Sequence, residues 1–194
     1  MTPKPLTIRT NRLRLVAGTA AIVQAERESL TEFGRLLGVT VPANWPPELV
    51  DAEVLEFWLG QLQASPEQVG WWCWYVLLED TGSADPILIG GAGFKGQPTP
   101  DGTVETGYSV LPQFRKRGYC TEAVQALIRW AFNHPETSRV VAQTLPELLS
   151  SIRVLEKNGF ARLDQAFEEG AIAFELPRAR YVDSIAVRNS DAPD

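Results

Sequence analysis

The chain has 194 residues, with 18 Lys and Arg against 24 Asp and Glu, a formal net charge of −6. That length suits one well-cored domain and not two large ones. The acidic balance opposes nonspecific nucleic-acid binding, which needs a net basic face, and 44% hydrophobic with 22% charged residues excludes wholesale disorder.

In chain order, Leu6 to Val16 alternates apolar and polar and predicts a broken edge strand. Thr19 to Leu37 is helical, with Ile22, Val23, Leu30, Phe33, Leu36 and Leu37 apolar; Gly34 and Gly38 predict one break and then a stop. Three prolines make 41–47 a loop. Glu48 to Leu62 puts Val54, Leu55, Trp58, Leu59 and Leu62 on one helical stripe. Three antiparallel strands follow, Trp72 to Leu78, Pro86 to Phe94 and Thr103 to Leu111, with turns at 80–83 and 98–102. Thr121 to Phe132 is the clearest helix. Val140 to Ala142 is a short strand, and Glu147 to Lys157 a helix stopped by Asn158-Gly159. Short strands within Phe160 to Phe167 and Ala171 to Leu176 close a single mixed α/β domain over 1–176, leaving 177–194 as a flexible tail.

The longest apolar run, Trp71 to Leu78, has eight residues, against about 20 for a membrane-spanning helix. The first residues lack the apolar core of a secretory signal. Cys73 and Cys120 form no CxxC pair, and His134 is the single histidine, so zinc and Ser-His-Asp sites lack material. No metal is expected. Two buried thiols fit a reducing cytoplasm, and His134, before Pro135 at a helix end, fits a surface or capping role.

Gly91-Ala-Gly-Phe-Lys-Gly96 spells GxGxxG after a strand, yet hairpin residues follow where a dinucleotide site needs a helix. These glycines therefore suit a tightly packed or bulged strand. More telling is Arg115-Lys-Arg-Gly118 between a strand and a well-patterned helix. Unpaired N–H groups at a helix start, a glycine allowing close approach and three cations are the parts of a pyrophosphate cradle; a solvated basic turn is the alternative.

The same segment resembles the R/Q-x-x-G-x-G/A loop of GNAT acyltransferases, with Cys120 where Gly or Ala is usual. Glu105-Thr-Gly-Tyr-Ser-Val-Leu-Pro112, Gly118-Tyr-Cys-Thr-Glu-Ala-Val124, Ser151-Ile-Arg-Val-Leu-Glu-Lys-Asn-Gly-Phe160 and Thr10-Asn-Arg-Leu-Arg-Leu15 are similar to blocks of the ribosomal-protein-alanine N-acetyltransferase branch. The resemblance runs from about Leu6 to Leu176. It implies the GNAT fold, a central mixed, mostly antiparallel sheet flanked by helices.

It also implies acetyl transfer from acetyl-CoA, as co-substrate, to a primary amine on a protein N-terminus or a small molecule. The attack is direct, in a ternary complex, with no metal. Arg115, Lys116, Arg117, Gly118, Tyr119, Cys120 and Thr121 map onto the family's cofactor loop. Val110 and Leu111 map onto the strand whose backbone pairs with the pantetheine arm. Glu105 matches a basic catalytic position, its alternative being a surface hairpin glutamate. On the last helix the family's Asn, small residue and Tyr fall on Leu148, Ser151 and Leu155. Ser151 is thus the one hydroxyl on that face, a candidate acid or a packing residue. Trp45, in a loop that borders the acceptor in GNAT proteins, is a candidate substrate contact. The branch also allows a homodimer. Two further readings stay open: a scaffold that binds CoA without transfer, and a transferase of longer acyl chains.

Overall fold

The computed structural model describes residues 5–48, 50–79 and 85–183. Eight strands are hydrogen-bonded in the order β1-β2-β3-β4-β5-β6-β8-β7. They are β1 (Thr7–Arg9), β2 (Leu13–Ala17), β3 (Cys73–Leu78), β4 (Ile87–Phe94), β5 (Thr103–Val110), β6 (Arg139–Thr144), β7 (Ala161–Arg162) and β8 (Ile172–Pro177). Every neighbouring pair is antiparallel except β5 and β6. The parallel pair needs a crossover, supplied by α4 (Tyr119–Phe132).

α4 lays Ala123, Val124, Leu127, Ile128 and Ala131 on the first sheet face. They meet Leu15, Trp74, Val76, Ile89, Val104, Val140, Phe174 and Leu176, and Leu155 of α5 (Leu149–Lys157) joins the same core. The second face is covered differently. α1 (Ala20–Glu28) and α2 (Leu30–Leu37) pack on Val16, Tyr75, Leu77 and Leu88, while α3 (Ala52–Ala64) meets Trp72 and Cys73. These helices lie over the β2–β4 half. Alternation along β5 and β6 turns Glu105, Gly107, Ser109 and Gln143 to the same face beyond their cover.

Several expectations change. The break in the first helical stretch is at Ser29, not Gly34. Ser29 has extended backbone and ends α1, while its hydroxyl accepts from the Glu32 N–H at 3.3 Å to start α2. Ser29-Leu-Thr-Glu32 carries the S-x-x-E spacing of a capping box. Gly34 instead lies inside α2 against Val39 and Val41. α3 starts three to four residues later than expected, capped by Asp51, whose carboxylate accepts from Val54 N at 2.9 Å. The strand expected over Phe160 to Phe167 shrinks to two residues, because the chain then crosses Gln143: its Oε1 accepts from both Phe167 and Glu168 N–H at 2.9 Å.

The stretch expected to fray begins as helix over 178–183. Arg178 donates to the carbonyls of Phe132, His134 and Thr137, tying it to the end of α4. Residues 184–194 and the turn expected at 80–83 lie outside the described residues. Trp58 is only half-buried. His134 is half-buried rather than on the surface, its ring 4.8 Å from Trp71 and 4.4 Å from Trp130, centroid to centroid. It does cap: its Nδ1 lies 2.9 Å from the Trp130 carbonyl oxygen in the last turn of α4.

The GxGxxG glycines belong to the strand and the turn after it, as their hairpin context implied. A Cβ at Gly93 would fall 1.9 Å from the Trp72 carbonyl oxygen, so the β3–β4 approach itself requires glycine there.

Candidate active site

The sheet opens where it changes direction. β5 and β6 pair only from Thr103↔Arg139 to Glu105↔Val141 and then diverge. Beyond that point β5 remains bonded to β4. In an antiparallel ladder, hydrogen-bonded pairs alternate with non-bonded ones. Lys95 N donates to Glu105 O and Leu111 N to Ile89 O, each at 2.9 Å. Residues 105, 107, 109 and 111 therefore direct their backbone polar groups at β4. Those of Thr106, Tyr108 and Val110 point into the opening towards β6. This separates two residues that were expected to act together: Val110 offers a gap-facing N–H, whereas Leu111 is 1% exposed with its N–H already bonded. Leu111 is a core residue, not a backbone donor to a ligand.

The loop into α4 closes one end of this opening. Lys116 has φ 62 and Gly118 φ 81, left-handed conformations that curl successive N–H groups into an anion-binding concavity. α4 then begins without a side-chain cap, leaving its first N–H groups available to an anion. Lys116, Arg117 and Gly118 are exposed, and Tyr119, Cys120 and Thr121 half-buried. Burial pushes the Cys120 thiol up to about 12, so it is a neutral packing group.

Arg115 does not join this cradle. Its Nε donates to Val110 O at 2.9 Å, and its guanidinium reaches the Glu48 carboxylate at 2.9 Å. A different cation stands beside the loop. Arg12, from the β1–β2 turn, donates to Arg117 O at 3.0 Å, pairs with Glu122 at 2.7 Å and covers the Tyr119 ring at 4.6 Å. Desolvation acts to raise Glu122, but hydrogen bonds from Thr10, the Arg12 backbone and the Arg12 side chain win and hold it below the ordinary value. Nothing in the local pattern of Thr10-Asn-Arg12 separates this arginine from a turn residue, since its partners are more than 100 positions away.

Glu105 and Ser151 lie on opposite sides of the opening. On the second face, the Glu105 Oε1 atom takes Lys95 Nζ at 2.6 Å and Gln143 Nε2 at 3.3 Å. Oε2 has no partner among the described residues. Lys95 also reaches Glu168 at 3.2 Å; against desolvation, the two carboxylates hold its ammonium above the ordinary value. On the first face, Tyr108 Oη lies 3.1 Å from both Ser151 Oγ and Ser151 O. Leu155, at the family tyrosine position, is fully buried, and Leu148 is 44% exposed.

Trp45 is 7% exposed and does not wall an open cleft. Its indole N–H donates to Glu26 at 2.7 Å, and Tyr75 Oη donates to the other oxygen at 2.6 Å. Phe33 packs against both rings. Glu26, a buried carboxylate within a helical stripe, escapes pattern reading because its partners come from two other segments. The loop that carries Trp45 is docked by reciprocal Asn44–Gln113 hydrogen bonds of 3.0 Å.

Among the described residues there is no cluster of His, Cys, Asp and Glu able to hold a metal and no helix long and apolar enough to cross a membrane. The uncapped helix start, the left-handed loop and the gap-facing amides fit a phosphorylated ligand with an extended amide arm.

Residues 6–161 match the family described as acetyltransferase (GNAT) domain. The chain is 30% identical over 153 residues to a Bacillus subtilis (strain 168) protein named uncharacterized N-acetyltransferase YjdG, covering 79% of this chain and 88% of that one. Its fold is similar to ribosomal-protein-S5-alanine acetyltransferase from Vibrio fischeri, with a TM-score of 0.60 at 16% identity over 89% and 96% of the two chains. It is also similar to AAC(6')-Ib in complex with ribostamycin and coenzyme A, with a TM-score of 0.62 at 21% identity over 94% and 100%. With a family match across most of its length and a sheet that opens beside an uncapped helix, this chain belongs to the GNAT family and is an acetyl-CoA-dependent acetyltransferase.

Proposed function

We propose that the protein transfers an acetyl group to a primary amine, on a small molecule or a protein N-terminus, by direct attack. The observation that carries this reading is the arrangement across the opening. A carboxylate with one oxygen unpartnered among the described residues lies on the second face, and a pair of hydroxyls on the first. Bound acetyl-CoA supplies a thioester carbonyl that an amine can attack.

Each side of the opening then has one task. An alkyl ammonium has a pKa near 10 and must shed a proton to become a nucleophile. Glu105 Oε2 accepts that proton, directly or through a water, while Lys95 and Gln143 hold Oε1 and fix the carboxylate plane. The Val110 N–H is the donor available to a developing oxyanion, a contribution of about 3 kcal/mol in a dry site. The loop 116–121 holds the pyrophosphate, with Arg12 bracing the Arg117 carbonyl. Ser151 serves the departing sulfur.

The acceptor approaches over the second face, where Glu105 and Glu168 share Lys95 and Glu175 lies 3.9 Å from Arg139, so that carboxylates outnumber cations there and favour a cationic amine. AAC(6')-Ib, similar in fold, is seen with an aminoglycoside, which supports testing such amines first. The experiment is thiol release from acetyl-CoA with ribostamycin, spermidine and an alanine-starting peptide, beside calorimetric titration of acetyl-CoA. Glu105→Gln should lose at least about a hundredfold in turnover with acetyl-CoA binding intact. Turnover unchanged in that variant across the pH range removes Glu105 from the base role. Tight acetyl-CoA binding without turnover on any amine returns the protein to the CoA-binding scaffold reading.

A further inference from the structure

Tyr108 is a residue of β5 whose backbone faces the opening and whose side chain hydrogen-bonds α5. Its ring packs against the first-face core, and its hydroxyl meets the first turn of α5 at Ser151 O and Ser151 Oγ, both at 3.1 Å. A phenol has one proton to give and two lone pairs, and a serine hydroxyl the same. The single Tyr108 proton can be given to Ser151 O or to Ser151 Oγ; when it goes to Oγ, the serine O–H is left free to donate onward, and hydrogen bonds in such a chain strengthen one another. Burial raises the Tyr108 phenol well above its ordinary value, so it remains a neutral donor. The titratable group beside it, Cys120, is neutral too. No other hydroxyl is available from the family tyrosine position, where Leu155 is fully buried.

We propose that Tyr108 is a positioning residue that orients Ser151 so that the serine O–H donates a hydrogen bond to the departing CoA sulfur. The proposal rests on the transferase reading. Amine nitrogen and carbonyl carbon form the new C–N bond, and the C–S electron pair passes to sulfur. The ammonium gives one proton to Glu105 before attack, and the second proton on the attacking nitrogen passes through water to the departing thiolate, which Ser151 stabilises until it is protonated. Neither hydroxyl is consumed.

A donor aimed at the thiolate lowers the pKa of a bound thiol, and this can be read without an acceptor amine. The probe is CoA itself, titrated with pH in complex with the full chain and followed by thiolate ultraviolet absorbance. In the native protein the bound thiol should titrate about one unit below free CoA, a tenfold change in its ionisation constant. Tyr108→Phe, which keeps the ring and hence the packing, should move it most of the way back. Ser151→Ala should do so fully, and the double variant should match Ser151→Ala alone. Acetyl transfer by Tyr108→Phe should fall about tenfold in kcat, as for loss of a charge-assisted hydrogen bond, with KM for acetyl-CoA unchanged. A bound thiol equally shifted in native protein and Tyr108→Phe, or a change confined to KM, overturns the proposal and leaves the transferase reading standing. Failure of the native protein to bind CoA overturns both.

Discussion

Glu26 shows how much one side chain can be asked to carry. It is 6% exposed, and burial raises its pKa while the Tyr75 and Trp45 hydrogen bonds pull the other way. Because the folded state holds this proton more tightly than the unfolded chain does, folding takes up a proton between the two pKa values. Its stabilising contribution is therefore complete below the unfolded value, near 4.5, and is lost as pH rises through the folded value. Glu26→Gln keeps an acceptor for Trp45 and offers Tyr75 a donor in place of an acceptor, without a charge to bury. Thermal melts from pH 4 to 8 should show the native protein losing stability relative to Glu26→Gln as pH rises; parallel curves would refute this. The residue scale is also where the sequence was hardest to read. Glu105 and Ser151 are marked in the sequence by the family blocks, whereas Trp45 reads as a substrate wall because a proline-rich loop shows nothing of its partners. Val110 and Leu111 looked equivalent because only ladder alternation tells which of two adjacent N–H groups is already bonded.

Elements were far more legible, because periodicity is a local property. The β4–β5 hairpin and α4 follow directly from alternation, turn residues and a 3.6-residue apolar stripe. Ser29-Leu-Thr-Glu32 has the spacing of a helix start, but the apolar pattern runs through it and Gly34 and Gly38 are the stronger local signals for a break. The two kinds of glycine in these elements give an opposed pair of predictions. Gly60, inside α3 with nothing within 4 Å of a built Cβ, should gain about 0.5–1 kcal/mol as alanine. Gly93→Ala, against the Trp72 carbonyl, should lose at least about 1–3 kcal/mol. Chemical denaturation of the two variants checks both, and a stable Gly93→Ala would mean that β3 and β4 can separate freely.

At the scale of the whole molecule, the segment between α2 and α3 is tied to the segment between β5 and α4. Asn44 bonds Gln113, and Glu48 holds the Arg115 guanidinium at 40% side-chain exposure. An exposed pair of this kind, with the Glu48 side chain 70% exposed, is worth about 0.2–1 kcal/mol. Glu48→Gln should therefore release Arg115 towards bound phosphate and tighten acetyl-CoA by roughly 1.4- to 5-fold at low salt, with the difference fading as salt is raised. Weaker binding would mean that Glu48 is needed to shape the loop.

The parting of β5 from β6 gives this sheet an edge in its own interior. An outer edge is a hazard because any extended chain can pair with it. An inner edge admits only what is as slender as a single strand, since neighbouring strands stand about 4.8 Å apart. Selection for a thin, unbranched amide-bearing arm is then exercised by main-chain spacing. That spacing survives side-chain replacement, which is why Leu148 can stand in place of the family asparagine without closing the route that the ligand takes.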